Sequence, residues 1–133
     1  MPRQRQGLTV RSFQVSKGSD GVPRDIAAFA ECWNRGQFFA AHEILEVRWI
    51  QEKDSGLQGL IQLAAAMHHL SKGNLRGAKT MLERSVRRLC DPDNAPCALD
   101  EAALAEFARQ LHDRMDTCRP QQLIESRPLL LPG

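Results

Sequence analysis

The chain has 133 residues, which is enough for one domain and too few for two domains of ordinary size. Its 42% hydrophobic and 26% charged residues are typical of a globular protein and exclude wholesale disorder. The formal charge of +2 is too near neutral to favour nucleic acid as a partner. We also expect no membrane partner, because no apolar run approaches 18 residues.

The first 22 residues predict a flexible N-terminal arm. They carry four basic residues against the single acidic Asp20, and they lack the continuous apolar run of a secretory signal. Four cysteines occur in the chain, none of them in a C-x-x-C pair, at Cys32, Cys90, Cys97 and Cys118. Unpaired, reduced cysteines are the default inside the cell, so the sequence favours a cytoplasmic protein.

From Pro23 onward, apolar residues recur at helical spacing and predict an all-α fold. The expected fold is a single compact antiparallel bundle of about five helices. The first helix should end at Gly36 and the third at Gly73. The N-terminal cap should be Asp54 or Ser55 for the third helix, Asn74 for the fourth and Asp100 for the fifth. We expect a helical domain over residues 23–118, and a tail over 119–133 that packs on the bundle or on a partner, such as a second copy in a homo-oligomer.

The third predicted helix, running to about Lys72, is apolar on nearly every side and should be the central helix. Gly59 and Gly77 lie inside helices, where glycine costs about 1 kcal/mol relative to alanine. We expect another helix to approach closely at both positions.

Polar residues interrupt the apolar faces of the second and third predicted helices. On the second helix, His42 and Glu46 stand one turn apart in the apolar stripe that also contains Trp49. On the third helix, Gln58, Gln62 and His69 fall within about 40° of one another, whereas His68 lies about 80° away from Gln58. An antiparallel register brings His42, Glu46, Gln62 and His69 into one patch, where we expect Glu46 to be buried and His69 to face His42.

Three interpretations of this patch stay open. The first is a structural network, in which Glu46 pairs with His42 and the other polar groups complete the hydrogen bonds. The second is a site for one divalent metal ion, with zinc or iron favoured by the ligands His42, Glu46 and His69. The third is a small-molecule site or simple exposure of the patch to solvent. In a metal or small-molecule site, Glu43, Trp49, Gln58 and Gln62 would contact the ligand or support the residues that do.

Four motifs in order resemble those of the bacterial and archaeal domain-of-unknown-function family numbered 309. The H-x-x-x-E-x-x-W signature matches residues 42–49, HEILEVRW. Similar segments flank it: WNRGQFF at 33–39, QGLIQLAAA at 58–66, and HLSKGNLRGA at 69–78. The resemblance covers roughly residues 29–89 and implies an all-helical fold with a metal role for the signature, but no known reaction. One departure is Ala40, which stands where the family usually has a glutamate.

Whether the chain is an enzyme stays open, and no catalytic residue is assigned. His42-Glu43-x-x-Glu46 is one residue short of the H-E-x-x-H zinc motif, since Glu46 replaces the second histidine. We expect metal or small-ligand binding between the second and third helices. The alternative is a non-catalytic helical interaction module whose His/Glu/Gln patch is a structural core network.

Overall fold

Six α-helices account for the regular structure of residues 22–95 and 98–130, the part of the chain that a computed structural model describes. They are α1 Arg24–Asn34, α2 Phe38–Glu52, α3 Ser55–Ser71, α4 Leu75–Leu89, α5 Glu101–Arg114 and α6 Pro120–Glu125. No strand occurs in these residues, and each of the first five helices corresponds to a predicted one. The all-α prediction is confirmed.

Short side-chain caps set where three helices begin. Asp54 accepts a hydrogen bond from the backbone N–H of Leu57 at the start of α3. Asp100 accepts one from the backbone N–H of Ala103 at the start of α5. Asn74 caps α4 in the same way. Gly36 and Gly73 follow α1 and α3 with φ of 79° and 75°, a left-handed conformation that glycine adopts without strain.

Helix α3 is the centre of the bundle, as its composition predicts. It contacts α2 on one side and α4 on the other, and it also touches α6. Leu60, Leu63 and Met67 are completely buried on α3. Trp33 of α1 is also fully buried and lies among aromatic rings from α1, α2 and α5.

Two glycines lie where α3 and α4 come close together, and both predictions of close approach are confirmed. A Cβ atom added at Gly59 would lie 2.8 Å from Leu89 Cγ and 3.0 Å from Arg88 Cβ, both on α4. A Cβ atom added at Gly77 would lie 3.0 Å from His69 Nδ1 on α3. These pairs run in opposite directions along the two helices, so α3 and α4 are antiparallel.

The C-terminal segment closes over the end of α1. Trp33 Nε1 donates a hydrogen bond of 2.9 Å to the carbonyl of Pro128, and Arg127 donates to the carbonyls of Trp33 and Asn34. Helix α6 lies in this segment and was not expected from the sequence. Pro120, expected only to end a helix, occupies the first turn of α6, where proline is well tolerated.

The predicted N-terminal arm lies outside the described residues, apart from Val22, which packs against the core. Within the described ranges, no helix combines the length and the apolar character that crossing a membrane requires.

Candidate functional site

His42 and Glu46 face each other one turn apart on α2. Their Nε2 and Oε2 atoms are 3.3 Å apart, and the side chains are 23% and 46% exposed. The prediction that Glu46 is buried is therefore wrong. The buried face of α2 is formed by Phe38, Ala41 and Leu45, and Glu46 is turned about 100° away from Leu45.

His68 is the histidine of α3 that approaches α2. Its ring centroid lies 5.4 Å from that of Phe39, and Phe39 is stacked on His42 at 5.5 Å. The pKa of His68 is lowered from its ordinary value, first by burial and then by the positive charges of Lys72, His69 and His42. The three rings of Phe39, His42 and His68 therefore form one contact between α2 and α3.

His69 turns towards α4 instead. Its Nδ1 atom lies 3.1 Å from Nδ2 of Asn74, the residue that caps α4, and beside Gly77. The prediction that His69 rather than His68 faces His42 is wrong. Helix α3 is flanked on both sides, so the stripe containing His69 lies between α2 and α4 rather than against α2.

The described residues bring together no group of three or more histidine, cysteine, aspartate or glutamate side chains that could hold a metal ion. The predicted set of His42, Glu46 and His69 is divided, because His69 is engaged by Asn74. Only the pair of His42 and Glu46 keeps the predicted arrangement.

Among the predicted site residues, three buried polar atoms have no hydrogen-bond partner: His42 Nδ1, Trp49 Nε1 and Gln62 Oε1. His42 and Trp49 lie two turns apart on the same face of α2, about 20° from each other. The indole of Trp49 packs against the core and is covered by Lys53, whose Nζ lies 4.0 Å from the ring centroid. We call His42, Trp49 and Gln62 the polar strip.

The other predicted residues lie at the edges of this strip. Gln58 is partly exposed one turn before Gln62 on α3, and Glu43 is exposed on α2. Two further participants, Phe39 and His68, are not predicted from the sequence. Phe39 is 52% exposed, and its ring contacts with His42 and His68 place it beside the site rather than in the core.

Helix α4 lines the far side of α3 with positive charge. It carries Arg76, Lys79, Arg84, Arg87 and Arg88 and a single acidic residue, Glu83. Glu83 is paired with His112 of α5 at 2.8 Å. Among the residues that the structure describes, none of the five cationic side chains of α4 forms an ion pair.

The segment that carries these features has relatives. Residues 26–81 match the family model described as "Domain of unknown function (DUF309)". This segment is similar to the DUF309 family. The resemblance predicted from the motifs is thereby confirmed at the level of the family, and the match includes most of α1, all of α2 and α3, and the first half of α4.

Two curated proteins resemble part of the chain. The Bacillus subtilis (strain 168) "Uncharacterized protein YpuF" is 31% identical over 86 residues, which is 60% of this chain and 49% of YpuF. An "Uncharacterized protein" of Aquifex aeolicus (strain VF5) is 32% identical over 82 residues, 56% of this chain and 25% of that protein. The matched regions thus span about half of the first relative and a quarter of the second. No solved structure matches the chain.

Proposed function

We propose that the protein binds a small polar ligand at the polar strip. The observation that carries this proposal is the set of three buried polar atoms without a partner, His42 Nδ1, Trp49 Nε1 and Gln62 Oε1. A buried polar atom left without a hydrogen bond costs about 1–3 kcal/mol. A ligand that completes these bonds recovers this free energy on binding.

The hydrogen-bonding roles define what such a ligand offers. The indole N–H of Trp49 can only donate, and Gln62 Oε1 can only accept. His42 Nε2 faces the carboxylate of Glu46, which favours the tautomer with the proton on Nε2 and leaves Nδ1 as an acceptor. The ligand therefore carries at least one acceptor for Trp49 and donors for the other two atoms.

Thermal denaturation with a panel of small compounds tests the proposal. The panel contains amino acids, sugars, carboxylic acids and phosphate esters at millimolar concentration. We expect at least one compound to raise the melting temperature of the wild type and to have a reduced effect on Gln62→Leu. Gln110→Leu, which changes an exposed glutamine of α5, is the matched control. A panel with no effect on the wild type contradicts the proposal.

A divalent metal ion is the second candidate ligand. The 3.3 Å between His42 Nε2 and Glu46 Oε2 matches the separation of about 3.3 Å between two ligand atoms of a tetrahedral zinc ion. Zinc or iron would suit this pair, with water or a small ligand at the remaining positions. The residues fit such an ion only in part, because the third predicted ligand, His69, bonds to Asn74.

Elemental analysis tests the metal. The protein is purified without a histidine tag or added metal, beside a Glu46→Gln variant. A stoichiometric transition metal that is lost in the variant supports this candidate. Metal-free protein whose melting is unchanged by a chelator contradicts it. If the compound panel also has no effect, the alternative of a helical interaction module is favoured; the exposed Val47 and Ile50 on α2 are consistent with that role.

A further inference from the structure

The positive charge of α4 is not spread evenly around the helix. Viewed down the axis of α4, Arg84 and Arg88 each lie within about 20° of the angular position of Gly77. Gly77 is the residue that faces α3, because a Cβ atom there would lie 3.0 Å from His69 Nδ1. Arg84 and Arg88 therefore lie on the side of α4 that borders α3.

The contacts between the two helices fix which residues are level with each other. Gly59 meets Arg88 and Leu89, and His69 meets Gly77. The residue numbers of two facing positions on the antiparallel helices α3 and α4 therefore add up to about 147. Gln62 is accordingly level with residue 85, beside Arg84. Gln58 is level with residue 89, beside Arg88.

The contact between α2 and α3 places Trp49 at the same height. Phe39 touches His68, so the residue numbers of two facing positions on α2 and α3 add up to about 107. Trp49 is therefore level with Gln58. Two glutamines of α3 thus lie between an indole on one side and two arginines on the other. The carboxylate of Glu46 is also on the α2 side, where it is paired with His42.

We infer that the ligand of the polar strip is an oxyanion, a carboxylate or a phosphate, whose charged end binds Arg84 and Arg88 while its body lies over Gln58 and Gln62 towards Trp49. This inference rests on the proposed function. Neither arginine forms an ion pair in the described part of the chain, so both guanidinium groups are free for charge-assisted hydrogen bonds. Such bonds favour planar carboxylates and phosphates.

Calorimetric titration with 4-hydroxybenzoate, 4-hydroxyphenyl phosphate and 4-hydroxybenzamide tests the inference on the full chain. The phenol group of each probe supplies a donor and an acceptor for the polar strip. The two anions distinguish the two oxyanion classes, and 4-hydroxybenzamide is the neutral analogue of 4-hydroxybenzoate. The variant Arg84→Gln/Arg88→Gln removes the proposed contacts. Arg76→Gln/Arg87→Gln removes the same charge from the side of α4 that points away from α3, and it controls for the general loss of positive charge.

We expect at least one of the two anions to bind the wild type at least about tenfold more tightly than 4-hydroxybenzamide. The affinity should fall by about tenfold in Arg84→Gln/Arg88→Gln and stay within about twofold in the control variant. If the two double variants lose affinity equally, or if neither anion binds the wild type better than 4-hydroxybenzamide does, the inference is wrong. If neutral compounds then stabilise the protein in the thermal panel, the proposed function is still supported and only the oxyanion inference is wrong. If no compound of the panel has an effect, both the proposed function and the oxyanion inference are wrong.

Discussion

The imidazole of His68 lies 5.4 Å from the phenyl ring of Phe39, and this contact joins α3 to α2 at the end of the polar strip. Phe39 is stacked in turn on His42, so the neutral ring of His68 is part of the packing between the two helices. A charge on His68 would be disfavoured by its burial and would be repelled by Lys72.

The first prediction follows from the lowered pKa of His68. The unfolded chain takes up a proton on this residue at a higher pH than the folded chain does, so stability rises with pH in that range. The contribution of neutral His68 is complete above the ordinary pKa of histidine, and it is lost as the pH falls through the lowered pKa of the folded state. Urea unfolding of the wild type and His68→Gln should show a difference that shrinks between about pH 7.5 and pH 5. A difference that grows as the pH falls would mean that the pKa of His68 is raised.

The second prediction concerns Glu46. Because its side chain is half exposed, the ion pair with His42 is screened by water, and Glu46→Ala should destabilise the protein by less than about 1 kcal/mol. Urea unfolding measures this change. A loss of about 3–5 kcal/mol would show that the carboxylate is a buried partner after all.

The third prediction concerns the contact between α3 and α4 at Gly59. Gly59→Ala places a Cβ atom against Leu89, which the core holds in place, and against Cβ of Arg88, which the helix backbone holds in place. Overpacking should therefore outweigh the gain in helix propensity. We expect a net loss of about 1–3 kcal/mol. Gly77→Ala is the comparison: its new atom meets the ends of the Asn74 and His69 side chains, which can turn away at a smaller cost. Equal stability of Gly59→Ala and wild type would refute the close approach.

The fourth prediction concerns Arg127, which holds the C-terminal segment on α1. Its guanidinium donates to the carbonyls of Trp33 and Asn34 at 3.1 and 3.0 Å, at the end of α1, where the helix itself leaves the last carbonyls without partners. The carbonyl of Trp33 also accepts a hydrogen bond from the backbone N–H of Gly36. Arg127→Ala should cost about 2 kcal/mol in thermal or urea unfolding. Arg114→Ala, at an exposed position, should change stability by less than about 0.5 kcal/mol. Similar losses in both variants would contradict a specific role for Arg127.

Much of the fold is readable from the sequence, because local signals determine it. Asp54, Asn74 and Asp100 sit directly before apolar-periodic segments and act as the caps that their side chains predict. The near-uniform apolar character of residues 57–70 indicates that α3 has neighbours on more than one side. Helix α6 was missed because it has only six residues and is held by contacts with α3 and the core rather than by its own periodicity.

The candidate site was only partly predictable, since the rotation of a central helix is set by all of its neighbours. Angular spacing correctly groups Gln58, Gln62 and His69, but it does not say which partner helix they face. The choice between His68 and His69 depends on where α4 lies, and the contact of His69 with Asn74 shows the outcome. The exposure of Glu46 has the same origin, because the buried face of α2 is centred on Leu45 rather than on His42.

The two tryptophans provide the most direct measurement of ligand binding at the polar strip. Trp49 has an unpartnered Nε1 atom in the strip, whereas Trp33 donates to Pro128 in the core, so the two indole N–H signals in a nitrogen-15 NMR spectrum report the site and an internal control. Each compound of the panel is titrated into the full chain. Binding at the strip predicts that at least one compound shifts the Trp49 signal saturably and leaves the Trp33 signal in place. If the Trp49 signal stays fixed with every compound, or if both signals move together, the strip is not the ligand site.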